Sequence, residues 1–197
     1  LLADYAGRFD TALVEDLGCR APWLIAERIE TVRPGNRFSR GLDLGCGTGL
    51  MAEALAGRDD HFTGCDLSPE MIARAEAGQR SPWVVVAEAA TFLSERTQPL
   101  DLVTAADVLV YVGALDSLFR HVAVRLAPGG LFAFSVEEAC DGDLVLRDSL
   151  RYAHSESYIR RAIAEADLVV VSIARSTLRF DRGAPIRGLL VVARLAR

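Results

Sequence analysis

The sequence contains no lysine, since all 22 of its basic residues are arginine. Without lysine the chain cannot form the Schiff base used by pyridoxal-phosphate enzymes and lysine aldolases. The lysine of the Walker-A phosphate loop is also missing, which excludes ordinary P-loop nucleotide hydrolysis. The arginines are outnumbered by 27 acidic residues, giving a net charge of −5 at pH 7. This acidic balance argues against nucleic acid or an anionic membrane as the main partner.

Cysteine is scarce, and its spacing does not indicate a metal site. The four cysteines are Cys19, Cys46, Cys65 and Cys140, without a C-x-x-C pair or clustered histidines. We therefore expect no zinc or iron–sulfur centre, and a reduced, cytoplasmic setting. Long apolar runs are absent too, because a run such as residues 108–112 is far shorter than a membrane span. We expect no membrane insertion.

Apolar strands alternate with amphipathic helices along the 197 residues, a length typical of one domain. Continuous Val/Leu strands alternating with helices predict a parallel sheet covered on both faces. The predicted strands lie at residues 41–44, 61–67, 83–87, 100–106 and 131–136. Helices are predicted at 3–32, through 50–55, after an N-cap at Ser68, at 115–126, where the Pro-Gly-Gly of residues 128–130 ends the helix, and at 155–166.

The C-terminal part of the sequence has a different pattern. Residues 168–180 and 186–195 are long β-prone runs joined by only five residues, 181–185. Two strands joined so closely pair antiparallel. The sequence thus predicts a mostly parallel sheet with a terminal hairpin. Within this single domain, we expect residues 1–36 to form a helical lid and residues 37–197 the core.

A glycine-rich turn follows the first predicted strand. Residues 43–49 have the sequence Asp-Leu-Gly-Cys-Gly-Thr-Gly, and glycine allows the backbone to approach a ligand closely. A dinucleotide fingerprint would require glycine at position 50, which is Leu50, so the spacing favours a nucleoside without a pyrophosphate. Asp66 ends the second predicted strand, where an acid can accept hydrogen bonds from ribose hydroxyls. The alternative is an ordinary tight turn beside a surface aspartate.

Three segments in this order resemble successive motifs of the class I S-adenosylmethionine-dependent methyltransferases. They are residues 43–49, residues 64–71 (Gly-Cys-Asp-Leu-Ser-Pro-Glu-Met) and residues 126–130 (Leu-Ala-Pro-Gly-Gly). The resemblance, over about residues 39–137, implies a Rossmann-like three-layer α/β sandwich with a seven-stranded sheet and a reversed last strand. It also implies S-adenosylmethionine as cofactor, with S-adenosylhomocysteine as product.

The resemblance implies a cofactor role for residues at the motif positions. Adenine would lie between Leu67 and Met71, and Asp107 and Val108 would contact the methionine end. Core packing is an equal alternative for Leu67 and Val108. Glu88 stands where the family usually has an Asp bonded to the adenine amino group. The complete set of cofactor residues implied in the core is Asp43, Gly45, Cys46, Gly47, Thr48, Gly49, Asp66, Leu67, Met71, Glu88, Ala89, Asp107 and Val108.

Two further cofactor residues are expected in the predicted lid, Tyr5 and Arg20. In related methyltransferases such helices carry a Tyr or Arg that holds the cofactor carboxylate. The planar fork of arginine suits a carboxylate because it can bond both oxygens. The alternative for Arg20 is a solvated surface charge. Residues 151–155 and 188–192 are also similar to predicted bacterial methyltransferases attached to tetratricopeptide repeats. This resemblance implies an N-terminal repeat domain outside this chain, whose sequence begins without Met.

The predicted catalytic residues are His154 and Tyr152. Methyl transfer from a sulfonium mainly requires alignment, and a base is needed only when the acceptor is protonated. His154 precedes a helix that should begin at the carboxyl ends of the strands, where ligands bind in open α/β sheets. The alternative is that Ser155 caps this helix and that His154 is a structural neighbour.

The composition and the motifs together favour a methyltransferase acting on a small molecule or a carrier-bound acceptor. The Asn/Asp-Pro-Pro-Tyr motif of amino-methylating nucleic-acid enzymes is absent, since residues 107–111 are Asp-Val-Leu-Val-Tyr. Two other classes stay open. One is a non-enzymatic, regulatory module that binds S-adenosylmethionine, and the other is a nicotinamide-dependent oxidoreductase, which Leu50 disfavours.

Overall fold

The computed structural model describes residues 20–78, 83–181 and 183–196, in which helices and strands alternate. The helices are α1 (Ala21–Val32), α2 (Leu50–Ala54), α3 (Pro69–Ala77), α4 (Ala89–Glu95), α5 (Asp116–Arg125) and α6 (Glu156–Glu165). The strands are β1 (Gly41–Leu44), β2 (Phe62–Asp66), β3 (Trp83–Val86), β4 (Leu100–Ala105), β5 (Leu126–Glu138), β6 (Leu144–Leu146), β7 (Tyr152–His154), β8 (Leu168–Asp181) and β9 (Ala184–Leu195), with a short 3-10 helix at Leu109–Tyr111.

All the described strands belong to one sheet, and its central part is parallel. The order β3-β2-β1-β4-β5 is formed by parallel pairs. β9 then pairs antiparallel with β5, and β8 pairs antiparallel with β9. The chain moves outward in one direction from β1 to β3 and in the other from β4 onward. This reversal opens a crevice at the carboxyl ends of β1 and β4, the usual ligand site of such sheets.

The predicted fold class is confirmed, with nine strands in place of the seven that the resemblance implies. The additional pair is the hairpin β6–β7, inserted between β5 and α6. β7 runs parallel to the end of β5, with Glu137 opposite Ala153 and Glu138 opposite His154. Each strand of this hairpin has only three residues, which is too short for hydrophobic periodicity to detect.

Helices cover both faces of the sheet and bury its apolar side chains. On one face Phe119 of α5 packs edge-on against Phe132 of β5, with ring centroids 5.3 Å apart. On the other face, α1 contributes Ile25 and Ile29 to a buried cluster with β5 and β9. Residues 21–32 therefore lie against the sheet. The lid over residues 1–36 stays a prediction, and its first nineteen residues lie outside the described part of the chain.

Most predicted elements are observed within a few residues of their expected ends. Ser68 caps α3 as expected, accepting a hydrogen bond from the Met71 amide at 3.3 Å. The end of α5 at Arg125 lies within one residue of the prediction, but the start of the fifth strand was wrong: β5 begins at Leu126 and includes residues 128–130. The short helix α4 was not predicted. No helix in the described residues combines the length and the apolarity needed to cross a bilayer.

Candidate cofactor and acceptor site

The glycine turn lies at the carboxyl end of β1, and its three glycines have positive φ angles. The values are +66° at Gly45, +52° at Gly47 and +88° at Gly49. A Cβ added to Gly45 would lie 2.2 Å from Cγ2 of Val108, so this position packs directly against the segment after β4. A Cβ on Gly47 would meet nothing within 4 Å. The turn thus exposes bare backbone to open space at the crevice.

Asp66 is held against this turn at the end of β2. Its Oδ2 accepts a hydrogen bond from the Gly47 amide at 2.9 Å, and its Oδ1 accepts one from the Ser68 amide at 2.9 Å. A carboxylate has about four lone-pair sites, so both oxygens retain capacity for further donors. The acid is oriented before any ligand arrives, as recognition of a ribose requires.

The two predicted adenine neighbours have opposite environments. Leu67 is 71% exposed, which excludes core packing as the reason for its presence. Met71 is buried in the first turn of α3. An exposed leucine directly after Asp66 provides an apolar surface at the end of β2, beside the predicted ribose position.

Glu88 forms the N-cap of α4. Its Oε1 accepts from the Ala90 amide at 3.0 Å, and its Oε2 accepts from the amide and the hydroxyl of Thr91 at 2.7 and 2.9 Å. The hydrogen bond from the Ala90 amide is the main cause that lowers the Glu88 pKa. The acid is therefore ionised, fixed at the end of β3, and followed by half-buried Ala89. The adenine contact stays a prediction.

Asp43 is buried on β1 beneath the turn. Its Oδ1 accepts a hydrogen bond from the Thr104 hydroxyl at 2.7 Å. Burial raises the pKa of Asp43 to about 7; the Thr104 hydrogen bond opposes this shift, and the nearby charge of Asp66 adds to it. Ionising Asp43 is therefore costly unless a positive group comes close.

Cys46 and Thr48 alternate with the glycines and are buried. Burial raises the pKa of the Cys46 thiol, so sulfur is neutral and packs against Gly64 of β2. Within residues 20–78, 83–181 and 183–196, no group of three or more His, Cys, Asp or Glu side chains is placed to hold a metal ion. Cys46 thus shapes the turn through packing.

Asp107 follows β4 with a φ of +52°, uncommon for a residue with a side chain. Its amide donates to Ser135 Oγ at 3.0 Å, which anchors this backbone to β5. Its Oδ1 accepts from Nη1 of Arg179 at 2.8 Å, and the other arm of this buried arginine donates to Glu137. The segment is thus fixed by an ion-pair network that the sequence motifs do not predict.

The network extends to the turn of the β6–β7 hairpin. Nε of Arg147 lies 3.4 Å from Oε2 of Glu137, and Nη1 of Arg151 lies 3.7 Å from Oδ2 of Asp107. We call these five residues the carboxyl-edge network: Asp107, Glu137, Arg147, Arg151 and Arg179. Its members come from four separate segments, so no spacing in the sequence indicates it.

His154 is fully buried at the end of β7. Its Nε2 lies 2.8 Å from the Gly113 carbonyl, which can only accept, so Nε2 carries the proton. Nδ1 has no hydrogen-bond partner among the described residues, and burial is the main cause that lowers the pKa of His154. The ring also stacks on Tyr158 at 5.6 Å. The structure therefore supports a neutral, enclosed imidazole.

Tyr152 is only half-buried, and its ring lies beside the loop that His154 holds. A Cβ on Gly113 would be 3.3 Å from Cζ of Tyr152. Of the lid residues, Tyr5 lies outside the described part of the chain. Arg20 immediately precedes α1, is exposed, and donates its amide to the Leu178 carbonyl at 3.1 Å. Since Leu178 neighbours Arg179, Arg20 lies at the same carboxyl edge as the glycine turn.

Comparison with known proteins agrees with this geometry. A family described as "Methyltransferase domain" matches residues 42–132. A ubiquinone biosynthesis O-methyltransferase of Xylella fastidiosa (strain 9a5c) is 35% identical over 97 residues, which cover 47% of this chain and 39% of the relative. The match thus spans well under half of that relative's length.

Two solved structures share the fold over most of the chain. The N-methyltransferase NodS from Bradyrhizobium japonicum WM9, in complex with S-adenosylhomocysteine, has a TM-score of 0.70 at 22% identity, covering 88% of this chain and 86% of NodS. The 1,6-didemethyltoxoflavin-N1-methyltransferase of Burkholderia thailandensis, with that compound and S-adenosylhomocysteine bound, has a TM-score of 0.68 at 22% identity, covering 90% and 79%. Residues 42–132 are therefore similar to the methyltransferase domain family, and the chain has the fold of these two methyltransferases.

Proposed function

We propose that this chain binds S-adenosylmethionine and transfers its methyl group to a small-molecule or carrier-bound acceptor. The observation that carries the proposal is the glycine turn, which exposes bare backbone at Gly47, together with the Asp66 carboxylate hydrogen-bonded to that same residue. This pair favours a nucleoside without a pyrophosphate. The named small-molecule ligand of the Burkholderia thailandensis structure supports the acceptor class.

The strand order sets the direction in which the cofactor would lie. Glu88 and Leu67 would receive adenine at β3 and β2, and Asp66 would accept the ribose hydroxyls. The glycine turn would face the methionine and ribose part, and Asp107 and Val108, after β4, would contact the methionine end. The cofactor supplies a methyl group on a sulfonium, a good and neutral leaving group. The chain's own task is then to hold the acceptor in line over β4 and β5 and to keep water away.

The identity of the accepting atom decides whether a base is needed. The Xylella fastidiosa relative is named an O-methyltransferase and NodS an N-methyltransferase, so both atoms are represented. For a hydroxyl acceptor we propose Tyr152 as the residue that contacts it. The assignment of His154 as the base stays a prediction, and its full burial and its hydrogen bond to Gly113 support the alternative, a structural role.

Calorimetry with S-adenosylhomocysteine, NAD and ATP tests the cofactor. We expect S-adenosylhomocysteine to bind much more tightly than the other two. Asp66→Ala should weaken it by about 1.5–3 kcal/mol, the scale of hydrogen bonds to a charged group. Glu76→Ala, an exposed acid on α3, is the matched control and should bind as the unmodified chain does. Tighter binding of NAD, or an unchanged affinity in folded Asp66→Ala, would contradict the proposal.

The remaining expectations concern partners and location. We propose that nucleic acid and membranes are not substrates, in keeping with the acidic balance of the chain, and that the protein is cytoplasmic. The resemblance to methyltransferases attached to tetratricopeptide repeats stays a prediction. Pull-down with total nucleic acid and with anionic vesicles at low salt checks the first point, and retention on either one would contradict it.

A further inference from the structure

Arg151 differs from the other arginines of the carboxyl-edge network in what its guanidinium contacts. Arg179 makes close ion pairs with Asp107 and Glu137, and Arg147 donates through Nη2 to the Glu138 carbonyl at 2.7 Å. The Nη1 of Arg151 is buried yet has no hydrogen-bond partner among the described residues. Its closest acid is Asp107, whose Oδ2 is 3.7 Å away, beyond hydrogen-bond distance.

The position of Arg151 is set by the backbone. The turn of the β6–β7 hairpin is closed by hydrogen bonds from the Leu150 amide to the Arg147 carbonyl at 2.8 Å and from the Arg147 amide to the Arg151 carbonyl at 2.9 Å. Leu150 adopts a φ of +61°, a strained value for a leucine. This turn geometry places Arg151 near Asp107, at the carboxyl end of β4.

The guanidinium is stacked on an exposed aromatic ring. Its Cζ lies 5.3 Å from the ring centroid of Tyr111, and that tyrosine is 61% exposed. The ring covers one side of the guanidinium, and Nη1, which makes no hydrogen bond among the described residues, can still donate to a planar, bidentate acceptor. A carboxylate has this shape, and the ring beside it offers an apolar surface for the rest of such a molecule.

The described charges of the network also favour an anion. Its three arginines face two carboxylates, Asp107 and Glu137. Glu138 nearby is engaged by Arg175, through Nε at 2.8 Å. Burying a positive charge whose donor is unsatisfied costs free energy, and an incoming carboxylate would recover it.

We propose that Arg151 binds a carboxylate of the methyl acceptor, beside Tyr111 and over the carboxyl end of β4. This inference rests on the proposed function. The acceptor is favoured over the cofactor as the source of the carboxylate because of the strand order. The proposed ribose contact lies at β2, and the methionine end lies at β1 and at the residues directly after β4. Arg151 comes from the β6–β7 hairpin, which lies beyond β5 in the strand order, so it approaches the end of β4 from the side opposite to β1.

Ligand-observed NMR on the full chain, saturated with S-adenosylhomocysteine, tests the proposal with benzoate and its neutral counterpart benzamide. We expect benzoate to bind more tightly than benzamide, and Arg151→Met to weaken benzoate at least tenfold while benzamide is unchanged. Arg151→Lys keeps the charge without the fork and should be intermediate. Arg120→Met, on the exposed side of α5, is the control.

Three results would overturn the proposal. They are equal affinities of the unmodified chain for benzoate and benzamide, an unchanged benzoate affinity in a folded Arg151→Met, and a selective loss of S-adenosylhomocysteine binding. The last is measured against 5′-methylthioadenosine, which lacks the amino-acid part. If Arg151→Met weakens only S-adenosylhomocysteine, the carboxylate belongs to the cofactor. Failure of the unmodified chain to bind either nucleoside would instead contradict the proposed function.

Discussion

The carboxyl edge of the sheet has two halves that are built in different ways. The half over β1, β2 and β3 is made of backbone, a glycine turn and helix caps. Its central contact joins Gly47 to Asp66, 19 residues apart. The half over β4, β5 and β7 is made of charged side chains. There Arg179 bonds Asp107 from 72 residues away. The first half has a local signature, and the second depends on the completed fold.

The largest expected effect is the loss of Arg179, which would break the second half only. Arg179→Met leaves the buried carboxylates of Asp107 and Glu137 without their main partner. Removing one side of a buried ion pair typically costs about 3–5 kcal/mol. Urea denaturation should show a loss of that size. The exposed Arg175→Met is the control and should change the midpoint little.

A second substitution separates charge from packing at this position. Adding Glu137→Gln to Arg179→Met removes one of the two charges that have lost their main partner and should recover part of the lost stability. If the free energy of unfolding of Arg179→Met lies within about 1 kcal/mol of that of the unmodified chain, the network does not stabilise this half of the edge.

Substitutions in the glycine turn should affect the first half in two distinguishable ways. Gly45→Ala combines a positive φ with a 2.2 Å approach to Val108, and should destabilise the fold by about 2–5 kcal/mol. Gly47→Ala has the same backbone strain, but its added methyl group meets open space, so we expect a loss of stability of only about 1–2 kcal/mol. Its methyl group would enter the space proposed for the cofactor, and S-adenosylhomocysteine affinity should fall at least tenfold.

Thermal unfolding and calorimetry on the same samples check both effects. Equal stability of the two variants would show that the Val108 side chain moves to accommodate the methyl group of Gly45→Ala. An unchanged S-adenosylhomocysteine affinity in Gly47→Ala would place the cofactor elsewhere.

The two halves also differ in how far the sequence predicts them. The glycine turn follows from one strand–turn–helix unit, and Asp66 and the Ser68 cap follow from the next, because local geometry demands glycine, an acid and a capping hydroxyl at these positions. The position of Glu137, directly after the fifth predicted strand, indicates only an acid that orients a substrate or is solvated, but the side chain is buried against Arg179. The partner of Glu137 is Arg179 of β8. A local sequence pattern cannot predict this pair, because it forms only when the two distant strands meet in the fold.

The same reason explains the misplaced elements. The Pro-Gly-Gly at residues 128–130 is typical of a helix end, but β5 begins at Leu126 because its backbone pairs with β4 from Leu100 onward. The β6–β7 hairpin is stabilised by the end of β5 and not by its own short apolar runs. Tertiary pairing therefore decides both segments.

Asp43 makes the stability of the first half depend on pH. Its pKa is raised to about 7 in the fold from the ordinary 3.8, so between these values the native state keeps a proton that the unfolded chain has lost. The unfolding free energy should therefore fall as pH rises through this window and level off above pH 7. From pH 5 to 8 the expected fall from this group is about 2–3 kcal/mol.

Asp43→Asn provides the comparison, because asparagine keeps an oxygen for Thr104 and cannot ionise. Urea titrations at pH 5 and 8 should show that the variant lacks this component of the pH dependence. The same slope in both proteins would mean that Asp43 is ionised throughout and already has a counter-charge in the fold.

The smallest expected effect concerns His154, which lies at the border of the second half. Its pKa is lowered by burial, so the unfolded chain protonates first and stability should decline as pH falls below about 6.5. His154→Gln keeps a donor for the Gly113 carbonyl and should cost about 1 kcal/mol of stability.

The methyl-transfer rate of His154→Gln, measured with an identified hydroxyl acceptor, distinguishes a structural residue from a base. We expect the rate per folded molecule to stay within about tenfold of that of the unmodified chain, the result for a structural residue. A loss of about a hundredfold at unchanged cofactor affinity, with a rate that rises through a histidine titration, would instead establish His154 as the base. The buried ring would then have to reach the acceptor by a movement of the Gly113 loop, and Tyr152, whose ring lies beside Gly113, would have to move with it.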